Sequence, residues 1–302
     1  MNHSHIKNLI NLGFLVNEDV VDEIENLNEE EFYSLIENLK KEKAFIVSKS
    51  LINKILSKEI EILKQFKPIK SFTVQDFVKI LNERYSFLQN ILLNKIELKN
   101  IVSINKASSG NVSIIGLVKD IVEKDNNTFL VLEDPTGDIE TLMNKKLAEK
   151  LSLDDVVAVS GNINNKILFV DKLIFPSIPL RPVNYSSESI KIAFLSNKKE
   201  NKAEYIIYKN KIEDNIKNKI YNITNPCFIK IKNIIILIIF DFNPIDILNK
   251  RYFNKDNTDF LIDTIPDILF TNKDITTNYK GISIVSLDNI IDLKTREVKS
   301  IV

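Results

Sequence analysis

Apolar residues in the first part of the chain recur every three or four positions, which is the spacing of one helix face. The clearest example follows the acidic run at 29–31 and consists of Phe32, Leu35, Ile36 and Leu39. Carboxylates in a first turn suit the positive end of the helix dipole. The pattern therefore predicts a small helical bundle over residues 1–57. We expect residues 58–72, which contain Pro68, to form a linker.

The next segment predicts one longer helix. Its apolar residues keep the helical spacing through Phe77, Ile80, Leu81, Tyr85, Leu88, Ile91 and Leu92. Thr73 and Asp76 have the spacing of a capping box, with Asp in the position usually held by Glu. We therefore predict a connecting helix over residues 73–97.

From residue 98 to residue 180 the apolar period shortens to that of β-strands. A short helix is predicted at 145–151, and the five strand candidates are 112–118, 128–133, 138–143, 156–161 and 166–175. Three strands, a helix and two strands is the order of an OB-fold, a five-stranded Greek-key barrel. The sequence therefore predicts an OB-fold over 98–180.

Residues 181–302 contain several short apolar runs, and the longest is Ile234 to Phe240. Such runs are typical of strands that are buried on both faces. A helix is expected within 205–220. The predicted fold class is thus α+β multidomain, with a helical bundle, an OB-fold barrel and an α/β domain.

The composition narrows the classes of function. Lys plus Arg and Asp plus Glu are 41 each among 302 residues, which excludes a globally basic nucleic-acid binder. The single cysteine, Cys227, excludes a disulfide framework. Both histidines lie in the first five residues, so a multi-imidazole metal site in the body of the chain is excluded. Without a signal peptide or a long apolar run, we expect a cytoplasmic, soluble chain with no membrane partner.

Charge and aromatic residues bear on what the barrel binds. Residues 98–180 hold nine Lys or Arg and eleven Asp or Glu, a net charge of −2. Phe129, Phe169 and Phe175 lie in apolar strand patterns, so we interpret them as core residues rather than as platforms for base stacking. The barrel is therefore predicted to bind protein, with single-stranded DNA as the alternative.

An OB-fold followed directly by this α/β pattern resembles the small subunit of archaeal family-D DNA polymerase, which is related to the B-subunits of eukaryotic replicative polymerases. The resemblance extends over essentially the whole chain. Segments 76–95, 225–238 and 266–286 look like the family helix before the barrel and two parts of its phosphoesterase domain. No single segment is diagnostic, but their order along the chain is.

The resemblance implies that the last domain is a calcineurin-like phosphoesterase. In active relatives, Asp, Asn and His at strand ends hold two divalent metals for 3'-5' exonuclease activity. Here the matching positions are occupied by other residue types, and between Asn162 and Lys280 there is neither glycine nor histidine. The positions that we interpret as degenerate are Asn197, Lys199, Phe240, Asp241, Lys273 and Ile275.

These substitutions predict a domain reduced to its fold, with no catalytic residue and no cofactor of its own. The only plausible carboxylate ligands are Asp241, Asp263, Asp267 and Asp274, and we interpret them as strand-end and turn residues. One hypothesis is that Lys199 and Lys273 replace the metal charges; the alternative is that both are solvated loop residues. Weak candidate contacts to DNA are Lys198, Lys199 and Lys202.

The functional expectation is a non-catalytic scaffold subunit of a replicative DNA polymerase. Its implied partner is the large catalytic subunit, whose zinc-bearing C-terminal region would dock on the barrel and the phosphoesterase-like domain over 181–302. DNA would be reached through the complex. Two alternatives stay open: an active proofreading exonuclease with an unusual metal site, and an independent OB-fold protein that binds single strands. Whether the chain has any enzyme activity of its own is left undecided by the sequence.

Overall fold

In the computed structural model of the protein, the described residues fall into two compact units, Met1–Glu61 and Ile62–Val302. No helix within the described part of the chain is long and apolar enough to cross a membrane. The residues described are 4–27, 29–41, 43–49, 51–52, 60–67, 73–197, 202–215, 219–255 and 258–301.

The first unit contains helices and one pair of very short strands. The described helices are α1 (Ser4–Asn11), α2 (Val21–Glu25) and α3 (Glu29–Lys41), and β1 (Leu15–Val16) pairs in parallel with β2 (Ile46–Val47). A helical bundle over 1–57 stays a prediction, and the strand pair was not predicted. The apolar core of this first unit consists of Leu9, Phe14, Val20, Ile24, Phe32, Leu35, Ile36, Leu39, Val47 and Ile52.

A strand lies where the sequence predicted a linker. Within 58–72 the described residues include β3 (Ile60–Gln65), which forms one edge of a six-stranded sheet. Long-range hydrogen bonds explain the difference, since the Phe66 amide donates to the Pro226 carbonyl at 3.0 Å. The ammonium of Lys64 also donates to the Asp263 carboxylate at 2.8 Å. The two acceptors, Pro226 and Asp263, are far away in the chain, so the local sequence does not predict these contacts.

The connecting helix, α4, spans Val74–Leu93, and its predicted capping box is confirmed. The Asp76 amide donates to the Thr73 hydroxyl at 3.2 Å, and the Thr73 amide donates to the Asp76 carboxylate at 2.9 Å. This reciprocal pair satisfies amides that have no partner inside the helix. The buried face of α4 packs on the barrel through Tyr85, Leu88 and Leu92.

Residues 110–174 form a closed barrel, as the predicted OB-fold requires. The strand order around it is β4-β5-β6-β8-β7. A short helix, α5 (Lys145–Ala148), precedes β7, close to the predicted position. The strands are β4 (Gly110–Lys124), β5 (Asn127–Asp134), β6 (Gly137–Asn144), β7 (Val156–Asn164) and β8 (Ile167–Ile174).

Gly161 is required at a closely packed point of this barrel. The register between β7 and β8 shifts between Ser160 and Gly161. A Cβ atom added to Gly161 would lie 1.9 Å from the Phe169 carbonyl oxygen. A side chain at this position is therefore incompatible with the present path of β8.

Beyond the barrel, the described residues form most of two mixed six-stranded sheets, and β3 supplies one edge strand of the second sheet. The order in the first sheet is β12-β11-β10-β9-β20-β21. Its strands are β9 (Lys191–Phe194), β10 (Tyr205–Ile207), β11 (Lys211–Asp214), β12 (Lys219–Asn222), β20 (Asn289–Asp292) and β21 (Val298–Ser300). The helix predicted within 205–220 is wrong, because parallel pairing of β10 with β9 draws this segment into the sheet.

The second sheet has the order β18-β19-β17-β14-β13-β3. Its other strands are β13 (Cys227–Ile231), β14 (Ile234–Ile239), β17 (Ile268–Thr271), β18 (Thr277–Tyr279) and β19 (Ile282–Ser286). One face packs against helix α6 (Pro244–Lys250) and the hairpin of β15 (Tyr252–Lys255) and β16 (Thr258–Leu261). The central strands are buried on both faces, as their apolar runs predicted.

Candidate functional site

We call the two six-stranded sheets, together with α6 and the hairpin of β15 and β16, the two-sheet domain. Three of its strands end close together. Phe194, the last residue of β9, packs against Phe240 and Phe270, with ring centroids 5.6 Å and 5.0 Å apart. Phe240 directly follows β14, and Phe270 belongs to the neighbouring β17. Because these rings join the two sheets just below the strand ends, the residues that follow them lie at one edge of the domain. This edge is where the resemblance placed the metal ligands of active relatives.

Asp241 and Asn272 bind each other at that edge. The Asp241 amide donates to Asn272 Oδ1 at 2.7 Å, and Asn272 Nδ2 donates to Asp241 Oδ1 at 2.9 Å. Asp241 adopts a left-handed backbone conformation, with φ of +72°. This conformation is uncommon for residues other than glycine, although Asp and Asn adopt it more readily than most. The two strand ends are therefore joined by a reciprocal pair of hydrogen bonds.

A second polar pair lies beside β9. The hydroxyl of Ser196 donates to both carboxylate oxygens of Asp288 at 3.0 Å, and the Ser196 amide donates to Oδ1 at 3.2 Å. Asn197, the next residue, is exposed. Phe240, in contrast, is only 3% exposed and occupies the core between the sheets. Phe240 is therefore a core residue in this fold.

The remaining predicted positions are dispersed. Lys273 is exposed, and its amide donates to the hydroxyl of Thr271, the last residue of β17, at 3.2 Å. Ile275 is half-buried against the core that faces α6. Lys202 is exposed, and Lys198 and Lys199 lie outside the described residues. The proposed charge replacement by Lys199 and Lys273, and the candidate DNA contacts, stay predictions.

Two of the four candidate carboxylates are engaged in ion pairs away from the strand ends. Asp263 pairs with Lys64 at 2.8 Å, and the buried Asp267 pairs with Arg181 at 2.7 Å. Burial works to raise the pKa of Asp263, but the hydrogen bond and positive charge of Lys64 lower it overall, together with hydrogen bonds from Thr264. Asp274 is exposed. Among the described residues, no three His, Cys, Asp or Glu side chains cluster as a metal site would require.

Two of the three aromatic residues that were predicted to lie in the barrel core instead lie on its outer face. Phe129 is 40% exposed and Phe169 is 43% exposed, so neither is a core residue, whereas Phe175 does pack against the barrel core. Cross-strand pairing places Phe129 opposite Val122 on one side and Leu142 on the other. Leu142 in turn lies opposite Phe169. We call Val122, Phe129, Leu142 and Phe169 the barrel stripe.

The junction between barrel and two-sheet domain contains a buried ionic network. Arg84 on α4 donates to the Asp259 carboxylate on β16 through Nε at 2.6 Å and Nη2 at 2.5 Å. It also donates to the Asp154 carbonyl on the barrel at 2.9 Å, and its guanidinium lies 4.2 Å from the centre of the Tyr252 ring. Arg84 therefore connects the helix, the barrel and the two-sheet domain.

A second buried carboxylate completes this network. Asp155 on the barrel accepts from the Tyr252 hydroxyl at 2.8 Å and pairs with Lys250 of α6 at 2.8 Å. Burial raises the pKa of Asp155, although Lys250 and Tyr252 act in the opposite direction. Burial works to lower the pKa of Arg84, but the hydrogen bond and charge of Asp259 raise it overall. Both ion pairs thus cross from one domain to the other.

This network was not predicted from the sequence, although one signal for it is present there. Arg84 lies on the apolar face of α4, three residues after Leu81 and four before Leu88. A charged residue on a buried helix face needs a partner, since an unpaired buried charge is costly. The partner, Asp259, is 175 residues away in the chain, and the sequence alone does not identify it.

Comparison with known proteins agrees with the barrel assignment. Residues 112–168 match the family model described as tRNA_anti-codon, OB-fold nucleic acid binding domain. With the sheets described above, this match defines the class as an α+β protein that contains an OB-fold barrel. Among solved structures, a chain described as OBody AM1L10 bound to hen egg-white lysozyme has a TM-score of 0.24 and 14% identity, covering 26% of this chain and 95% of its own.

The chain is also similar in sequence to archaeal DNA polymerase II small subunits. The protein of this name from Archaeoglobus fulgidus is 28% identical over 193 residues, which cover 63% of this chain and 38% of the relative. The one from Methanothermobacter thermautotrophicus is 32% identical over 133 residues, covering 41% of this chain and 27% of the relative. The resemblance to the family-D small subunit is thus confirmed. The matched segments span less than half of the length of these relatives.

Proposed function

We propose that this chain is a non-catalytic small subunit of an archaeal family-D replicative DNA polymerase and that it works by holding the large catalytic subunit. The observation that carries the proposal is the 193-residue similarity to a DNA polymerase II small subunit. That stretch is longer than the barrel, which runs from Gly110 to Ile174, so the similarity is not a property of the OB-fold alone.

The junction network supports a scaffold role. Arg84–Asp259 buries charges between α4 and the two-sheet domain, and Lys250–Asp155 does so between the barrel and the two-sheet domain. Buried ion pairs that lose one partner are strongly destabilising, so such pairs favour one fixed arrangement of the domains. Residues Ile62–Val302 accordingly form one compact unit. A fixed surface of this kind suits a subunit whose task is to bind another polypeptide.

We infer that residues 181–302 have a calcineurin-like phosphoesterase fold that has lost its metal site. Two mixed sheets joined through Phe194, Phe240 and Phe270 support the fold assignment. The reciprocal Asp241–Asn272 pair and the buried Phe240 support the loss of the site. Metal-assisted phosphodiester hydrolysis needs strand-end ligands that face a common cavity, and here these side chains bind one another or enter the core.

Co-purification and a nuclease assay test this proposal. The chain, expressed together with the large subunit of the same polymerase, is expected to form a stable complex. The purified chain is expected to leave a 3'-labelled oligonucleotide intact in the presence of Mn²⁺. Failure to bind the large subunit would contradict the scaffold role. Degradation that disappears in Asp241→Ala or Asp274→Ala would contradict the loss of nuclease chemistry.

A second candidate function is binding of single-stranded nucleic acid by the barrel. The description of the matching family model and the exposed rings of Phe129 and Phe169 favour it. Aromatic side chains on an OB-fold stack with bases, and a basic groove usually follows the phosphate backbone. Fluorescence anisotropy with a labelled oligothymidine tests this candidate, and salt-dependent binding would support it.

A further inference from the structure

The barrel stripe is an apolar row that crosses the outside of the barrel. Val122, Phe129, Leu142 and Phe169 are contributed by β4, β5, β6 and β8. Successive members are directly opposite one another in the strand pairing. With strands about 4.8 Å apart, the row is about 14 Å long. Three of its members are at least 40% exposed: Val122, Phe129 and Phe169.

The alternation of side chains along each strand places this row on the outer face of the barrel. Leu130, Met143 and Leu168 are each adjacent in sequence to a stripe residue and belong to the buried barrel core. Side chains alternate between the two faces of a strand, so the stripe residues lie on the opposite face. A contiguous apolar row on a protein surface marks an interaction site more often than scattered single residues do.

The charges beside the stripe favour one class of partner. In the adjacent row of paired residues, Asp120 and Glu140 alternate with Val131 and Ile167. Both acidic residues are exposed. The opposite side of the stripe has two exposed charged residues, Lys124 and Asp171, which lie two residues beyond Val122 and Phe169. The surroundings are thus acidic on balance, which opposes a phosphate backbone and suits lysine or arginine side chains.

A cleft extends this surface. It has a volume of about 740 Å³ and is lined in part by Glu140 and Ile167, the two residues that pair with each other next to the stripe. Asp138 also lines it, and its carboxylate binds Lys119 at 3.1 Å. Lys166 lines the cleft as well, so the cleft holds two carboxylates and one ammonium group beside an apolar wall. This arrangement can receive a side chain that has an apolar stem and a cationic head.

From these observations we infer that the barrel stripe docks a polypeptide segment whose apolar side chains are flanked by lysine or arginine. This inference rests on the proposed function, because a scaffold subunit supplies the context in which a partner polypeptide is present. It specifies which surface of the chain binds the partner and which kinds of side chain the bound segment carries. Apolar contact would provide the affinity, and the carboxylates at Asp120 and Glu140 would select a basic partner.

Two variants separate this inference from nucleic-acid binding. Phe129→Ser combined with Phe169→Ser removes the exposed rings, and Glu140→Lys reverses one charge beside the stripe. The matched control is Leu180→Ser, since Leu180 is 83% exposed and lies outside the stripe. Binding of the full chain to the large subunit is measured by surface plasmon resonance, and binding to oligothymidine by fluorescence anisotropy. Unchanged melting temperatures establish that each variant is folded.

We expect the double serine variant and Glu140→Lys each to weaken binding to the large subunit by tenfold or more, while Leu180→Ser has no effect. A basic partner is repelled by Glu140→Lys, whereas a phosphate backbone is attracted by it. Unchanged binding of both stripe variants would overturn the inference and leave the proposed function intact. Absence of binding by the wild type would overturn both. Oligothymidine binding that the double variant loses and Glu140→Lys strengthens would assign the stripe to single strands instead.

A photo-crosslinker identifies what covers the stripe. With p-benzoylphenylalanine in place of Phe129, irradiation of the complex is expected to link this position to a segment of the large subunit that contains lysine or arginine beside apolar residues. Crosslinks to DNA, or to an acidic segment, would overturn the inference. The same substitution at Leu180 serves as the control and is expected to give no such product.

Discussion

Asp259→Asn is expected to destabilise the chain strongly, because it removes the counter-charge of a buried arginine. The side chains of Arg84 and Asp259 are 2% and 7% exposed, and two hydrogen bonds of 2.5 and 2.6 Å join them. The substitution keeps the shape of the side chain and leaves the guanidinium without a charged partner. Breaking a buried pair in this way costs about 3–5 kcal/mol.

This cost converts into a measurable shift in melting temperature. A domain of this size loses about 2–4 °C per kcal/mol, so Asp259→Asn is expected to lower the melting temperature by about 6–20 °C. Far-UV circular dichroism is a suitable probe, since the chain has no tryptophan. The matched control is Glu83→Gln, which breaks an exposed pair with Lys79 at 3.9 Å. Exposed pairs contribute about 0–1 kcal/mol, so the control should shift by a few degrees at most.

A double variant tests the electrostatic explanation itself. Arg84→Met combined with Asp259→Leu removes both charges and keeps apolar volume at the junction. Replacing both members of a buried ion pair is often close to neutral, so the double variant should be more stable than Asp259→Asn alone. If Asp259→Asn melts within about 1 °C of Glu83→Gln, the junction is not held by this pair and the reasoning is refuted.

Two further predictions concern single residues. Burial raises the pKa of the Cys227 thiol to about 12, so at pH 8 the folded chain should react with a thiol reagent at least about 30-fold more slowly than the unfolded chain; equal rates would contradict the burial. Gly161→Ala should prevent correct closure of the barrel, because its Cβ would lie 1.9 Å from the Phe169 carbonyl oxygen. Gly110→Asn meets no atom within 4 Å and is strained only by its backbone φ of +84°, which Asn adopts more readily than most residues, so this variant should still fold; circular dichroism of both variants checks this contrast.

The parts of the fold with strong local signals were predictable from sequence. Helix α4 combines a capping box at Thr73 with a long apolar period, and the structure contains both. The order of strands and helix in the barrel was also predictable, because each strand is bounded by turn residues and α5 lies in the gap before β7. These features depend on residues that are close in sequence.

The missed features depend on pairing that is distant in sequence. Residues 128–133 and 166–175 have apolar side chains on both faces of the strand, so alternation alone does not tell which face is inside. Barrel closure places Leu130 and Leu168 inside and leaves Phe129 and Phe169 exposed. The strands β3 and β10 were missed for a related reason, since each exists through pairing with a distant partner strand.

The features of the candidate site also divide into those that depend on residue type and those that depend on pairing between distant segments. The interpretation of Asn197, Phe240 and Lys273 as replaced metal ligands rests on the family resemblance and stays a prediction. The pairing of Asp241 with Asn272 could not be predicted, because 31 residues separate them and two parallel strands bring them together. The junction pair of Arg84 and Asp259 is a second contact of this kind.

Anomalous scattering from crystals soaked in MnCl₂ tests the central claim most directly. The claim is that the strand ends of the two-sheet domain are joined by their own side chains and that the chain acts through what it binds. We expect no manganese peak beside Asp241, Asn272 and Asp288. Two peaks about 3.5–4 Å apart at these strand ends, the separation of a two-metal hydrolytic centre, would contradict the account.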